Sequence, residues 1–133
     1  MDDIFLLVKN RIIEEVGVYD EDYFLQYEEA DWCYRVRKRG FRIVYNSKAV
    51  IWHGGSFSSG GDLNPTYAFF SPKNLNLFMK KNSSSFKFFK FSLYFLFIYN
   101  TKKFIYYIKK KKTSLVKNHL KGIISGYKQI VSK

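Results

Sequence analysis

The chain has 133 residues, a length that suits one domain, and its formal net charge of +12 is distributed unevenly. Residues 1–62 hold all 11 acidic residues and eight Lys or Arg, a formal charge of −3, whereas residues 63–133 hold 15 Lys and no acid. The longest strongly apolar window, residues 91–99, is far shorter than the roughly 20 residues that cross a bilayer as a helix. We expect no signal peptide, and the single Cys33 indicates a reducing compartment.

The first predicted elements are a strand and a short helix. Residues 1–8 end in an apolar run over residues 4–8, which predicts a buried strand. Residues 10–16 place apolar side chains on one helical face, and Gly17 suits the left-handed position that follows a helix. An acidic turn then leads to the next helix.

Three carboxylates stand within four positions at the predicted start of a helix over residues 28–40. They are Glu28, Glu29 and Asp31. Acidic side chains favour a helix N-terminus because of the helix dipole, so capping alone is one explanation. Three acids are more than capping needs, and we therefore interpret the cluster as a candidate site.

Two further strands are predicted after this helix. Residues 41–45 alternate and are rich in β-formers, and residues 49–52 form an apolar run that ends at His53. A histidine in this position is either a hydrogen-bonded structural residue or a ligand. The glycine-rich loop over residues 54–61 lacks the spacing and the lysine of a P-loop.

A basic and aromatic segment follows a serine run at residues 83–85. Aromatic residues alternate irregularly with lysines as far as a lysine run at residues 109–112. Such a segment either stacks on single-stranded nucleic acid or lies in the interface of an anionic membrane. A biased base composition of the gene is a third explanation for so many Lys and Phe residues. The stretch is too apolar for a typical nucleic-acid groove, so we expect an anionic membrane surface and no nucleic acid.

The last predicted element is an amphipathic helix over residues 114–131. Gly122 and Gly126 are four residues apart, a spacing that weakly indicates close helix packing. His119 lies beside lysines and far in sequence from the acidic cluster, so the sequence assigns it no role.

Five blocks carry a resemblance to a known family through their order and spacing. The blocks are residues 14–17, 19–24, 28–35, 38–45 and 49–53. Together they resemble the second half of the catalytic domain of family 2 glycosyltransferases, in the rhamnosyl- and galactofuranosyl-transferase-like branch. The resemblance covers roughly residues 4–82 and implies an α/β fold, the C-terminal fragment of a GT-A type nucleotide-sugar transferase domain. We accordingly expect a catalytic part at residues 1–82 and a mainly α-helical basic tail at residues 83–133.

The resemblance implies a catalytic role for the acidic cluster. Glu29 occupies the place of the general base that takes the proton from the attacking hydroxyl. It lies in an acidic pair that is usually Glu-Asp in the family and is Glu28-Glu29 in this chain. Asp31 matches the second acid, which helps to shape the acceptor pocket.

The resemblance also implies residues for substrate and metal. Arg35, four residues after Asp31, can pair with it across one helical turn. Trp32 offers a flat face to an acceptor sugar or else packs in the core. His53 matches the histidine that completes the metal site in this branch. We expect a divalent cation, Mg²⁺ or Mn²⁺, only together with a donor-binding half that carries an Asp-x-Asp pair.

No such donor half fits before Ile4, so we expect a truncated or split copy. Either the gene is split, truncated or frameshifted, or the start at Met1 is misassigned, or a separate chain supplies the donor half. The resemblance implies transfer of a sugar, with inversion, from a nucleotide-sugar to a glycan or lipid-linked acceptor in cell-surface polysaccharide synthesis. We expect a cytoplasmic protein, peripheral at the inner face of the plasma membrane, that does not transfer sugar alone. The alternative is a non-catalytic membrane-associated or partner-binding remnant.

Overall fold

The computed structural model describes residues 6–52 and 63–132, which belong to two compact units, Met1–Gly55 and Ser56–Lys133. The division by spatial contact therefore comes near residue 55. The functional boundary at residue 82, which follows from the family resemblance, stays a prediction.

The N-terminal unit contains two helices, α1 (Asn10–Val16) and α2 (Glu28–Lys38), joined by an irregular segment. Gly17 follows α1 with a φ of 82°, and its N–H donates a hydrogen bond to the Ile13 carbonyl at 2.8 Å. This left-handed position after the helix is the one predicted from the glycine. The buried apolar residues of the unit are Tyr23, Trp32 and Val36.

The C-terminal unit is built from α3 (Pro65–Asn82), α4 (Ser85–Tyr94), a π-helical turn (Phe95–Tyr99), α5 (Asn100–Lys109) and α6 (Ser114–Val131). The side chain of Asn64 caps α3 by accepting a hydrogen bond from the Thr66 N–H at 2.7 Å. The backbone stays helical from α4 through the π-helical turn into α5, so residues 85–109 form one continuous helix.

Helix α6 packs closely against α3 because two glycines face that helix. A Cβ atom on Gly122 would lie 2.0 Å from the Phe69 carbonyl oxygen, and one on Gly126 would lie 3.1 Å from the Lys73 carbonyl oxygen. The glycine spacing therefore does mark a close helix contact in this chain. The bounds of α6 also agree with the predicted helix over residues 114–131.

The α/β GT-A prediction for the fold is wrong, because the described residues form helices and contain no strand or sheet. Strands were expected over residues 1–8, 41–45 and 49–52. Residues 6–8, 41–45 and 49–52 are irregular, and residues 1–5 lie outside the described ranges. A strand needs a neighbour to satisfy its backbone N–H and C=O groups, and the described residues offer none of these segments a pairing partner. The alternating pattern alone therefore does not produce a sheet.

Helix length and hydropathy bear on membrane insertion. Within residues 6–52 and 63–132, no helix is both long enough and apolar enough to cross a membrane.

Candidate functional site

Asp31 is the centre of a buried polar network on α2. Asp31 is 2% exposed, and its Oδ2 accepts a hydrogen bond from Arg35 Nε at 2.7 Å. Its Oδ1 accepts a longer hydrogen bond from the Tyr23 hydroxyl at 3.3 Å. The pairing of Asp31 with Arg35 that the spacing predicts is therefore confirmed. Because both carboxylate oxygens are engaged, Asp31 holds neighbouring groups in place, and its role at an acceptor pocket stays a prediction.

Arg35 extends this network to the end of α1. Its Nη1 donates a hydrogen bond to the Val16 carbonyl at 2.9 Å, and its Nη2 donates one to the Val18 carbonyl at 2.7 Å. The fixed fork of the guanidinium suits this arrangement, in which one side chain bonds to a carboxylate and two carbonyls. Arg35 therefore connects α2 to both sides of Gly17. Its expected contact with a substrate stays a prediction.

Tyr23 donates to Asp31 from a largely buried position. Burial, followed by the negative charge of Asp31, raises the pKa of the Tyr23 hydroxyl well above its ordinary value. The hydroxyl therefore stays protonated and remains a donor. The turn that precedes α2 is held in this way to the buried face of the helix.

Trp32 is a core residue of this unit. It is 5% exposed, and its Nε1 donates a hydrogen bond to the Gly17 carbonyl at 2.7 Å. It borders an apolar cavity of about 210 Å³ whose other lining residues are Leu6, Val8, Ile13, Val18 and Tyr19. A sugar pocket requires polar groups to orient the hydroxyls, and these side chains supply few. The prediction of a Trp32 contact with an acceptor sugar is not supported by this lining.

Glu28 and Glu29 begin α2 directly after an unusual stretch of backbone. Leu25 and Tyr27 have φ values of 70° and 73°, in the left-handed region that residues with a side chain rarely adopt. Both glutamates are half-buried, and Glu28 Oε2 has no hydrogen-bond partner among the described residues. Strained backbone beside an incompletely bonded carboxylate, here that of Glu28, is characteristic of functional sites. Sequence analysis identified the acids but gave no sign of the two left-handed residues.

The expected metal site falls mostly outside the described chain. His53 lies outside the described residues, as does the glycine-rich loop after it. Residues 6–52 and 63–132 contain no group of three His, Cys, Asp or Glu side chains arranged to hold a metal ion. Asp31 is already bonded to Arg35 and Tyr23, so the described carboxylates do not form a ligand set. The divalent cation stays a prediction that depends on a donor-binding half.

His119 is the polar residue that sequence analysis missed. It is fully buried in the C-terminal unit, where its Nε2 donates a hydrogen bond to Asn100 Oδ1 at 2.9 Å. The rings of Tyr99, Phe104 and Tyr107 surround it, with centroids 5.3 to 6.3 Å away. Burial, with a smaller contribution from Lys103, lowers the pKa of His119 to about 4.

A sequence signal for His119 exists in hindsight. The buried positions of α6 recur at Leu115, His119, Gly122, Ile123 and Gly126, which is the spacing of one helical face. His119 therefore lies on the buried face and not among the lysines that neighbour it in sequence.

Comparisons with protein-family models, curated proteins and solved structures return no match for this chain. The resemblance to family 2 glycosyltransferases therefore rests on the five sequence blocks.

Proposed function

We propose that the N-terminal unit supplies the acceptor-activating side of an inverting sugar transferase. The donor is a nucleotide-sugar, and the acceptor is a glycan or a lipid-linked saccharide at the cytoplasmic face of the membrane. Glu29 is the general base and Glu28 its partner at the acceptor hydroxyl. The donor site belongs to a separate donor-binding half.

One observation carries this proposal beyond the sequence blocks. Glu28 Oε2 is buried without a hydrogen-bond partner among the described residues, in the same helical turn as Glu29. A buried acceptor atom without a donor costs about 1–3 kcal/mol, and a hydroxyl placed there would remove that cost. An acceptor hydroxyl is such a donor.

The rest of the network supports a fixed geometry for the two glutamates. Asp31 and Arg35 bind α2 to the end of α1, and Tyr23 holds the preceding turn. General-base catalysis requires the carboxylate within hydrogen-bond reach of the proton it takes. A rigid helix start meets this requirement better than a solvated side chain on a loop.

The proposed chemistry is a direct displacement. Glu29 takes the proton from the acceptor hydroxyl while the hydroxyl oxygen forms a bond to the anomeric carbon of the sugar. The bond from that carbon to the diphosphate oxygen breaks, and its electron pair leaves with the diphosphate. A divalent cation bound with the donor half would neutralise the charge on this leaving group.

The test is a comparison of matched Glu→Gln variants of the full chain. Each is mixed with a donor-binding half of a family 2 transferase, a panel of nucleotide-sugars, Mn²⁺ and saccharide acceptors, and release of nucleoside diphosphate is measured. Because Gln cannot accept the proton, we expect Glu29→Gln to lower turnover by about 10²- to 10⁴-fold. Glu28→Gln should have a smaller effect, mainly on the acceptor KM.

The control is Glu14→Gln, which changes an exposed acid on α1 and should leave turnover unchanged. Equal turnover of Glu29→Gln and the unaltered chain would remove Glu29 from the role of base. If no combination of chain, donor half and nucleotide-sugar releases diphosphate, the non-catalytic alternative replaces this proposal.

A further inference from the structure

The continuous helix over residues 85–109 carries an exposed apolar stripe along one side. The stripe consists of Phe86, Phe89, Leu93, Phe97, Ile105 and Ile108, each between 46% and 72% exposed. Steps of three or four residues relate successive members, with Thr101 between Phe97 and Ile105, so they share one face of the helix. The helix is about 38 Å long at 1.5 Å per residue.

The opposite side of this helix faces the interior of the C-terminal unit. The rings of Phe88, Phe91, Phe95 and Tyr99 follow one another along that side, with centroids 5.3 to 6.4 Å apart. Phe95 is fully buried. These four aromatic side chains form an inner row that supports the fold, whereas the stripe lies on the solvent-exposed side of the helix.

We propose that the stripe over residues 86–108 docks on the surface of an anionic lipid bilayer, with the helix lying parallel to the membrane plane. The proposal is independent of sugar transfer. Exposed Phe, Leu and Ile side chains would enter the boundary between headgroups and acyl chains, which is how amphipathic interfacial helices bind.

Charge identifies the lipid as anionic. Residues 63–133 hold 15 Lys and no acid, and the exposed Lys90, Lys102 and Lys109 flank the stripe along its length. Lys90 Nζ also lies 4.5 Å above the centroid of the Phe86 ring, so charge and apolar surface are joined at one end of the stripe. A lysine near an anionic bilayer contributes about a fivefold increase in binding. A second copy of the same face would place lysines against lysines, which disfavours a dimer through this surface.

The test is sedimentation of the full chain with vesicles of phosphatidylcholine alone or with 30% phosphatidylserine. We expect binding only to the anionic vesicles and weaker binding as salt is raised. The double variant Phe89→Ser/Phe97→Ser should bind at least about tenfold more weakly, because each lost ring removes a large apolar contact. Lys90→Gln/Lys102→Gln should lower binding by roughly 25-fold, at about fivefold for each charge.

A matched control changes exposed apolar residues of the N-terminal unit, in Val44→Ser/Tyr45→Ser, and should bind as the unaltered chain does. Circular dichroism of each variant verifies that the helices remain. Equal binding to neutral and anionic vesicles would overturn the proposal, and so would equal binding of the Phe89→Ser/Phe97→Ser variant. The chain could instead form concentration-dependent dimers in vesicle-free buffer that are lost in the Phe89→Ser/Phe97→Ser variant. In that case the stripe binds a second copy of the chain and the proposal is overturned.

Discussion

At the residue scale, most polar side chains of the candidate site hold the structure, and one carboxylate oxygen has no partner among the described residues. Asp31, Arg35 and Tyr23 bond to one another and to the backbone, and Trp32 bonds to the Gly17 carbonyl. Each of these side chains has a protein partner. Glu28 Oε2, in the first turn of the same helix, is buried and has no hydrogen-bond partner among the described residues, and we propose that a ligand binds at this turn.

Arg35→Met tests whether the Asp31–Arg35 pair stabilises the N-terminal unit. The variant leaves the buried Asp31 carboxylate without its cation, and such a loss typically costs about 3 kcal/mol or more of unfolding free energy. Both tryptophans of the chain, Trp32 and Trp52, lie in the N-terminal unit, so tryptophan fluorescence during urea unfolding reports on this unit. The control is Arg37→Met, at an exposed position of α2, which should change stability by no more than about 0.5 kcal/mol.

His119 predicts a loss of stability in acid. Its pKa is lowered to about 4 in the folded chain, against about 6.5 in the unfolded chain. Between these values the unfolded chain binds a proton that the folded chain excludes, so stability falls as the pH decreases from about 6.5 toward 4 and is fully retained above 6.5. We expect His119 to account for roughly 2–3 kcal/mol of that loss.

Urea unfolding of the C-terminal unit, followed by circular dichroism at pH 7.5 and pH 4.5, measures this effect. His119→Gln keeps a polar side chain but cannot titrate, so its difference between the two pH values should be smaller than that of the unaltered chain. If both chains lose the same stability, His119 does not account for the acid sensitivity.

At the element scale, the contact between α3 and α6 depends on the two glycines. In Gly122→Ala the new methyl would meet a backbone oxygen that a side-chain rotation cannot move, so α6 must shift. We expect a loss of about 1–3 kcal/mol despite the better helix propensity of alanine. Gly126→Ala should cost less than Gly122→Ala, because its nearest atom is about one ångström further away.

Thermal unfolding monitored by circular dichroism at 222 nm distinguishes the two variants. Lys121→Ala, at an exposed position of α6, serves as the control for propensity alone. Equal melting of Gly122→Ala and Gly126→Ala would show that α6 is not held at the distance described above.

The elements also show what could be predicted from the sequence. The start of α2 at Glu28 and the bounds of α6 follow from local patterns, because helices satisfy their backbone hydrogen bonds within the segment. The predicted strands over residues 41–45 and 49–52 depend on pairing with another segment, which no local pattern guarantees. At the site, the Asp31–Arg35 pair followed from spacing, whereas the left-handed Leu25 and Tyr27 had no local signature.

At the scale of the whole molecule, the two units differ in chemistry as well as in position along the chain. Ten of the 11 acids lie in the N-terminal unit, whereas the C-terminal unit holds 15 Lys and one acid, Asp62, and carries the exposed apolar stripe. We propose acceptor activation for the first unit and membrane contact for the second. A lipid-linked acceptor would bring both tasks to one surface.

We propose that this chain completes a sugar transferase and does not act alone. The most direct measurement is release of nucleoside diphosphate from a nucleotide-sugar in three mixtures: this chain alone, a donor-binding half alone, and both together with Mn²⁺ and acceptor. The account predicts sustained release only when both are present. Sustained release by this chain alone, or no increase over the donor-binding half when the chain is added, would contradict it.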